Sequence, residues 1–129
     1  MQYRGRPTIL IVDDEKMLNE TLADYLRRFD YRIEQRYDPK TAYDALVTLS
    51  PDLVLMDVML PNESGIEVLE RAAVNGFRPP ALVMSGRDDM LWLPPNQQAN
   101  IIRVLNKPIP LRPLGEFVRR FLAGPPHRA

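Results

Sequence analysis

The sequence predicts an α/β domain, a doubly wound sheet of five parallel strands in the order 2-1-3-4-5. Three observations predict it. Short apolar runs alternate with stretches of helical periodicity from one end of the chain to the other. Three runs, Ile9 to Val12, Leu53 to Met56 and Ala81 to Met84, are apolar throughout, as strands covered on both faces are. The other two carry polar residues, which suits the edges of the sheet. This order puts the polar runs at the edges and makes every crossover right-handed. The first and last helices then share one face, and the middle helices take the other.

The elements follow in order. After Ile9 to Val12, residues Leu18, Leu22, Tyr25, Leu26 and Phe29 form a helical stripe. Tyr31 to Arg36 alternates and reads as a more exposed strand. Asp38-Pro39 is a helix start, a cap residue followed by proline in the first turn, and Ala42, Ala45, Leu46 and Leu49 give its buried side. Pro51 leads into Leu53 to Met56. Ser64 can cap a helix with Ile66, Leu69 and Ala73 inward, closed by Asn75-Gly76. Ala81 to Met84 is the fourth strand and Ile101 to Leu105 the fifth. Leu111, Leu114, Phe117, Val118, Phe121 and Leu122 make the last helical stripe, ended by Gly124 and Pro125. One segment resists the scheme. A helix belongs between Arg87 and Ala99, yet Pro94-Pro95 sits in its middle and cannot continue one, so an irregular or shortened fourth helix is expected.

The totals narrow the function. At 129 residues the chain is expected to form one domain over 8–123, with 1–7 an N-terminal tail and 124–129 a C-terminal tail or linker start. Formal net charge is zero, which gives no global drive toward nucleic acid or an anionic membrane. After Asn100 the chain carries Arg103, Lys107, Arg112, Arg119, Arg120 and Arg128 against Glu116 alone. No aromatic platform or basic arm accompanies them, so they read as a solvated helix face. The absence of cysteine excludes disulfide and zinc-thiolate chemistry. No apolar run approaches membrane-spanning length and none follows the basic N-terminal residues, so a cytoplasmic location is expected. His127, in the Gly-Pro-Pro tail, is expected to do nothing specific.

The polar residues fall at the carboxyl ends of the strands. The first strand ends in Asp13-Asp14-Glu15, the third in Asp57, the fourth in Ser85 and the fifth in Asn106-Lys107-Pro108. The first and third are neighbours where the winding direction reverses, which is where open α/β sheets place ligands. Asp13, Asp14 and Asp57 therefore converge. Three adjacent carboxylates raise one another's pKa unless a cation joins them, and magnesium, a hard ion that keeps several waters, answers that need. Lys107 adds a mobile point charge and Ser85 a hydroxyl. Singly, each has a plainer use. Asp13 or Asp14 would cap a helix, Ser85-Gly86 would make a turn, and Lys107 would be a surface lysine. Asp57 has no routine structural job at the end of a central strand.

These residues make the chain resemble a response-regulator receiver domain of two-component signalling, over Thr8 to Leu122. The acidic pair follows the first strand as Val12-Asp13-Asp14-Glu15. The central signature reads Asp57-Val58-Met59-Leu60-Pro61 with Gly65 beyond it, and Ser85-Gly86 and Lys107-Pro108 stand in order. The resemblance implies a flavodoxin-like receiver fold in which Asp57 accepts a phosphoryl group from a histidine kinase, a histidine phosphotransfer protein or acetyl phosphate. Asp14 and Asp57 would hold Mg2+, with Asp13 acting through water and the Met59 carbonyl as a further ligand. Ser85 and Lys107 would bind the phosphoryl oxygens, and the Lys107-Pro108 bond would be cis. Such a domain phosphorylates and dephosphorylates itself and is otherwise no enzyme. It shifts the conformation of the Ser85–Ala99 region toward a downstream protein partner, with no direct nucleic-acid or membrane contact. Two departures stand out. Relatives usually carry Tyr or Phe three residues before the lysine, where this chain has Val104, and the proline-broken segment lies beside it.

Other readings of the same fold meet obstacles. A flavin binder needs a phosphate-cradling loop after the first strand, where Asp13-Asp14-Glu15 would repel phosphate. A dehalogenase-type phosphatase needs a second aspartate two residues after the nucleophile, and that residue is Met59. The remaining alternative is a receiver-like protein-interaction module that acts with little dependence on phosphorylation.

Overall fold

Pairing and burial together explain how the chain is laid down. The computed structural model describes residues 5–86 and 99–123. Their elements are β1 (Thr8–Val12), α1 (Lys16–Leu26), β2 (Arg32–Arg36), α2 (Pro39–Leu49), β3 (Leu53–Asp57), α3 (Gly65–Val74), β4 (Ala81–Ser85), β5 (Ile101–Asn106) and α4 (Leu111–Ala123). The strands form one parallel sheet in the order β2-β1-β3-β4-β5. That is the order read from the polar residues. All of β3 and β4 is buried, whereas β2 and β5 are partly exposed along their length. Boundaries differ by a residue at some ends: β1 begins at Thr8, β2 at Arg32, and β4 and β5 run on to Ser85 and Asn106. The expected irregular fourth helix, with Trp92 and Pro94-Pro95, lies outside the described residues up to 98. So do the first four residues and the 124–129 tail with His127.

Alternation along the strands divides the core in two, because successive side chains in a strand point to opposite faces. Leu10, Val12, Val54, Met56, Ala81 and Val83 pack with Ala42, Ala45 and Leu46 of α2 and Val68, Leu69 and Ala72 of α3. Ile9, Ile11, Leu53, Leu55, Leu82 and Met84 pack with Leu22, Ala23 and Leu26 of α1 and Leu114 and Val118 of α4. The first and last helices thus share a face. Against α1, the backbone of α4 comes very close at Gly115, where a Cβ would stand 2.9 Å from both Cε2 and Oη of Tyr25.

Helix starts obey local chemistry. Asp38 accepts the Thr41 N–H at 2.8 Å, and Pro39 follows in the first turn. Such a cap contributes about 1 kcal/mol. Ser64 and Glu67 form a reciprocal capping box, each side chain accepting the other's backbone N–H. That box starts α3 immediately beyond the loop that follows Asp57. After α3, Gly76 has a φ of +94°, the left-handed turn predicted from Asn75-Gly76.

Candidate functional site

The register of the sheet assembles the site. Val12 pairs with Met56 across β1 and β3, so the next residues, Asp13 and Asp57, emerge side by side. Asp57 pairs with Met84, and Ser85 with Asn106, which brings the ends of β4 and β5 alongside. The Lys107 N–H donates to the Ser85 carbonyl at 2.8 Å, fixing the start of the next loop. The Lys107–Pro108 peptide bond is cis, as the resemblance implies.

Asp13, Ser85 and Asp57 are buried, while Asp14 is exposed. Carboxylate oxygens of Asp13, Asp14 and Asp57 lie within 4.8 Å of one another. The Lys107 ammonium stands 3.1 Å from Asp13 Oδ2 and 3.3 Å from Asp57 Oδ2. It also lies 3.7 Å from Glu15 Oε1, a contact the sequence reading did not assign. Asp57 Oδ1 accepts the Met59 N–H at 3.2 Å, and Asp13 Oδ1 accepts the Glu15 N–H at 2.9 Å. The residue capping α1 is Glu15, which makes no side-chain cap bond. Neither aspartate is therefore spent on capping the helix. Lys107 is no ordinary surface lysine, and Ser85 belongs to β4 rather than to a turn. The Met59 side chain points into solvent.

Electrostatics follow from the crowding. Burial, reinforced by the Asp13 charge, pushes the Asp57 carboxyl up from 3.8 to about 6, against the opposing pull of Lys107 and the Met59 N–H. Burial alone would lower Lys107, but Asp13 and Asp57 outweigh it and hold the ammonium above its ordinary pKa. One cation is thus shared by two buried carboxylates.

The residues fit a magnesium ion. Asp13 Oδ2 is fully buried and has no hydrogen-bond partner, although the ammonium is near; the contact is a charge pair without an aligned donor. One ammonium shared between two buried carboxylates leaves both only partly compensated. The donors are all hard oxygens, one member of the cluster opens to solvent, and a divalent ion would relieve their mutual repulsion.

Gly65 contributes by having no side chain. A Cβ there would collide with the Asp57 carbonyl oxygen and come within 2.6 Å of Met56 Cγ. Its N–H donates to the Val58 carbonyl at 2.9 Å. The start of α3 is pressed directly onto the end of β3. Val104, on β5 three residues before Lys107, pairs with Val83 of β4 and is 37% exposed.

Comparison with known proteins agrees with this geometry. The family model for the response regulator receiver domain matches residues 9–119. The chain belongs to that family. The receiver is similar to response regulator MprA of Mycolicibacterium vanbaalenii, 32% identical over 114 residues, covering 88% of this chain and 49% of that protein. The MprA protein of Mycobacterium avium matches at the same identity and coverage of this chain, with 50% of its own length covered. The receiver therefore spans about half the length of the curated relatives it matches. Among solved structures, the signal receiver domain of an HD domain-containing protein from Pseudomonas fluorescens has a TM-score of 0.80 at 26% identity, covering 92% of this chain and 95% of that one. The N-terminal domain of an uncharacterized protein from Wolinella succinogenes shares the fold, with a TM-score of 0.82 at 24% identity over 91% and 94% of the two chains.

Proposed function

We propose that this receiver is the phosphoacceptor of a two-component relay and that Asp57 takes the phosphoryl group. The observation that carries the reading is a buried carboxylate ending a central strand, faced by two more carboxylates and one ammonium. An Asp57 carboxylate oxygen attacks phosphorus as the P–N bond of a phosphohistidine breaks. The new O–P bond makes an acyl phosphate, and the bonding pair leaves with the imidazole nitrogen, which takes up a proton. The donor is a histidine kinase or a histidine phosphotransfer protein, with acetyl phosphate as a small substitute.

Catalysis in such a transfer is chiefly positioning and charge neutralisation. The Met59 N–H on Asp57 Oδ1 fixes the nucleophile's orientation. Lys107 leaves its two carboxylates to hold a phosphoryl oxygen, and the Ser85 hydroxyl takes another. Asp13, Asp14, Asp57 and the Met59 carbonyl would hold Mg2+, which when bound offsets the negative charge of the carboxylates and the phosphoryl oxygens together. The domain turns over no substrate besides its own phosphoryl group. Among the described residues no helix is long and apolar enough to cross a membrane, and a cytoplasmic setting is part of this reading.

A second reading, a binding module little dependent on phosphate, draws on Val104. No ring stands at that position to couple the site to the surface, and Lys107 already neutralises part of the site by itself. One experiment separates the two. Acetyl phosphate with Mg2+ should add a single acid-labile phosphoryl group, by mass spectrometry, to the wild type and none to Asp57→Asn. Phosphate on Asp57→Asn, or none on the wild type with or without the ion, would refute the phosphoacceptor reading.

A further inference from the structure

We propose that Asn19 is a positioning residue for the magnesium site, acting through the Asp13 peptide; this rests on the reading of that site given above. Asn19 is fully buried in α1, a helix whose other buried residues, Leu22, Ala23 and Leu26, are apolar. An uncharged amide is costly there unless it is satisfied, and it is. Its Nδ2 donates to the Asp13 carbonyl and to the Arg36 carbonyl, each at 3.0 Å, and its Oδ1 accepts from Gln35 Nε2 at 2.9 Å. One side chain therefore ties α1 to the points where the chain leaves β1 and β2.

The consequence falls on Asp13. Its N–H donates to the Arg36 carbonyl at 3.3 Å, its carbonyl accepts from Asn19, and its Oδ1 accepts the Glu15 N–H. Three of its four polar atoms are thereby held by its surroundings. The fourth, Oδ2, has no hydrogen-bond partner and faces the Lys107 ammonium. Asn19 closes this clamp on the side of the carbonyl. Without it the Asp13 carbonyl loses its side-chain donor, the peptide linking Asp13 to Asp14 is freer to rotate, and Oδ2 can be re-aimed although the N–H and Oδ1 contacts remain. Gln35 fixes the amide in turn, and Arg27 Nη2 donates to Gln35 Oε1 at 3.0 Å, so the brace continues to the surface. Removing a residue that orients a metal ligand commonly costs 10–100-fold in metal affinity. Because Asn19 acts on the ligand's backbone, the lower end is expected.

The test is a magnesium titration followed by backbone amide NMR shifts of Asp13, Asp14 and Asp57, without phosphodonor, alongside phosphorylation by acetyl phosphate at increasing Mg2+. Asn19→Ala should bind the ion about tenfold more weakly, and its phosphorylation rate should return to within a few-fold of wild type at saturating ion. A control, Leu46→Ala, removes a side chain from the opposite core and should lower the melting temperature while leaving magnesium affinity unchanged. An Asn19→Ala protein that is less stable but binds magnesium like the wild type overturns the inference alone. A wild type that binds no magnesium overturns the reading of the site and the inference with it. Should Asn19→Ala not fold, Gln35→Met decides: several-fold weaker binding supports the brace, and unchanged binding overturns it.

Discussion

The Lys107 ammonium lies 3.1 Å from Asp13 Oδ2, slightly nearer than its 3.3 Å from Asp57 Oδ2. The lysine thus competes with any cation for the same buried oxygens. Lys107→Met should bind magnesium at least as tightly as the wild type, because a repelling charge has gone. In EDTA it should be less stable by about 3 kcal/mol, since two buried carboxylates lose their partner. Urea unfolding with and without the ion, together with the titration, checks both. Weaker magnesium binding in Lys107→Met would show that the lysine helps to build the metal site rather than competing for it.

Asp57 gives the metal-free protein a definite pH dependence. Its folded pKa, about 6, lies above the ordinary value of 3.8, so the folded state binds more protons between those values. Stability from this group is therefore fully present below pH 3.8 and is lost as pH rises through about 6. The difference of about two units corresponds to roughly 3 kcal/mol. Asp57→Asn cannot ionise, so relative to wild type it should gain about that much between pH 4 and 7. Magnesium should shrink the gain. A stability difference that stays flat with pH in EDTA would count against the raised pKa.

How much of this was readable beforehand depends on the kind of interaction. Asp57 stood out because a charge closing an apolar run contradicts its neighbours, and the sheet order followed from which strands tolerate polar residues. Asn19 was harder. It lies three, four and seven residues before the buried Leu22, Ala23 and Leu26, which puts it on their face of the helix, but the apolar stripe Leu18, Leu22, Tyr25, Leu26 and Phe29 passes it by. Its partners, Gln35 and the Arg36 carbonyl, come from β2, and no local pattern points to them. The unlike burial of Asp13 and Asp14 is similarly tertiary. The chain leaves the strand after Val12, and only the contacts with Arg36, Asn19 and Lys107 decide which carboxylate turns inward.

Two glycines separate steric need from conformational need. Gly65→Ala would drive a methyl group into the Asp57 carbonyl, which belongs to a central strand and has little room to move. A loss of roughly 1–3 kcal/mol or more is expected, as for other overpacked sites, with slower phosphoryl uptake because Asp57 itself must shift. Gly76→Ala meets nothing within 4 Å, but its φ of +94° disfavours any side chain. It should cost about 1–2 kcal/mol and leave phosphoryl uptake intact. Thermal unfolding and a phosphorylation time course on both variants check the contrast. Equal effects on uptake would remove the special role given to the Gly65 contact.

Val104 stands three residues before Lys107, and its surroundings argue that it transmits little. It lies on the edge strand β5, pairs with Val83 of β4 and is 37% exposed, so the described residues cover its side chain only in part. A β-branched side chain also has few rotamers to exchange. Val104→Ala should therefore change stability by about 0.5 kcal/mol, in the range of surface substitutions, and leave magnesium affinity unchanged. The sharper measurement concerns the response to a phosphoryl mimic. With beryllofluoride and Mg2+ bound, the amide shifts of Ser85 and Lys107 should move as far in Val104→Ala as in the wild type. Those residues join the site through their own backbone hydrogen bond, not through the Val104 side chain. Shifts lost at Ser85 but kept at Asp57 would mean that Val104, despite lacking a ring, carries the signal out of the site.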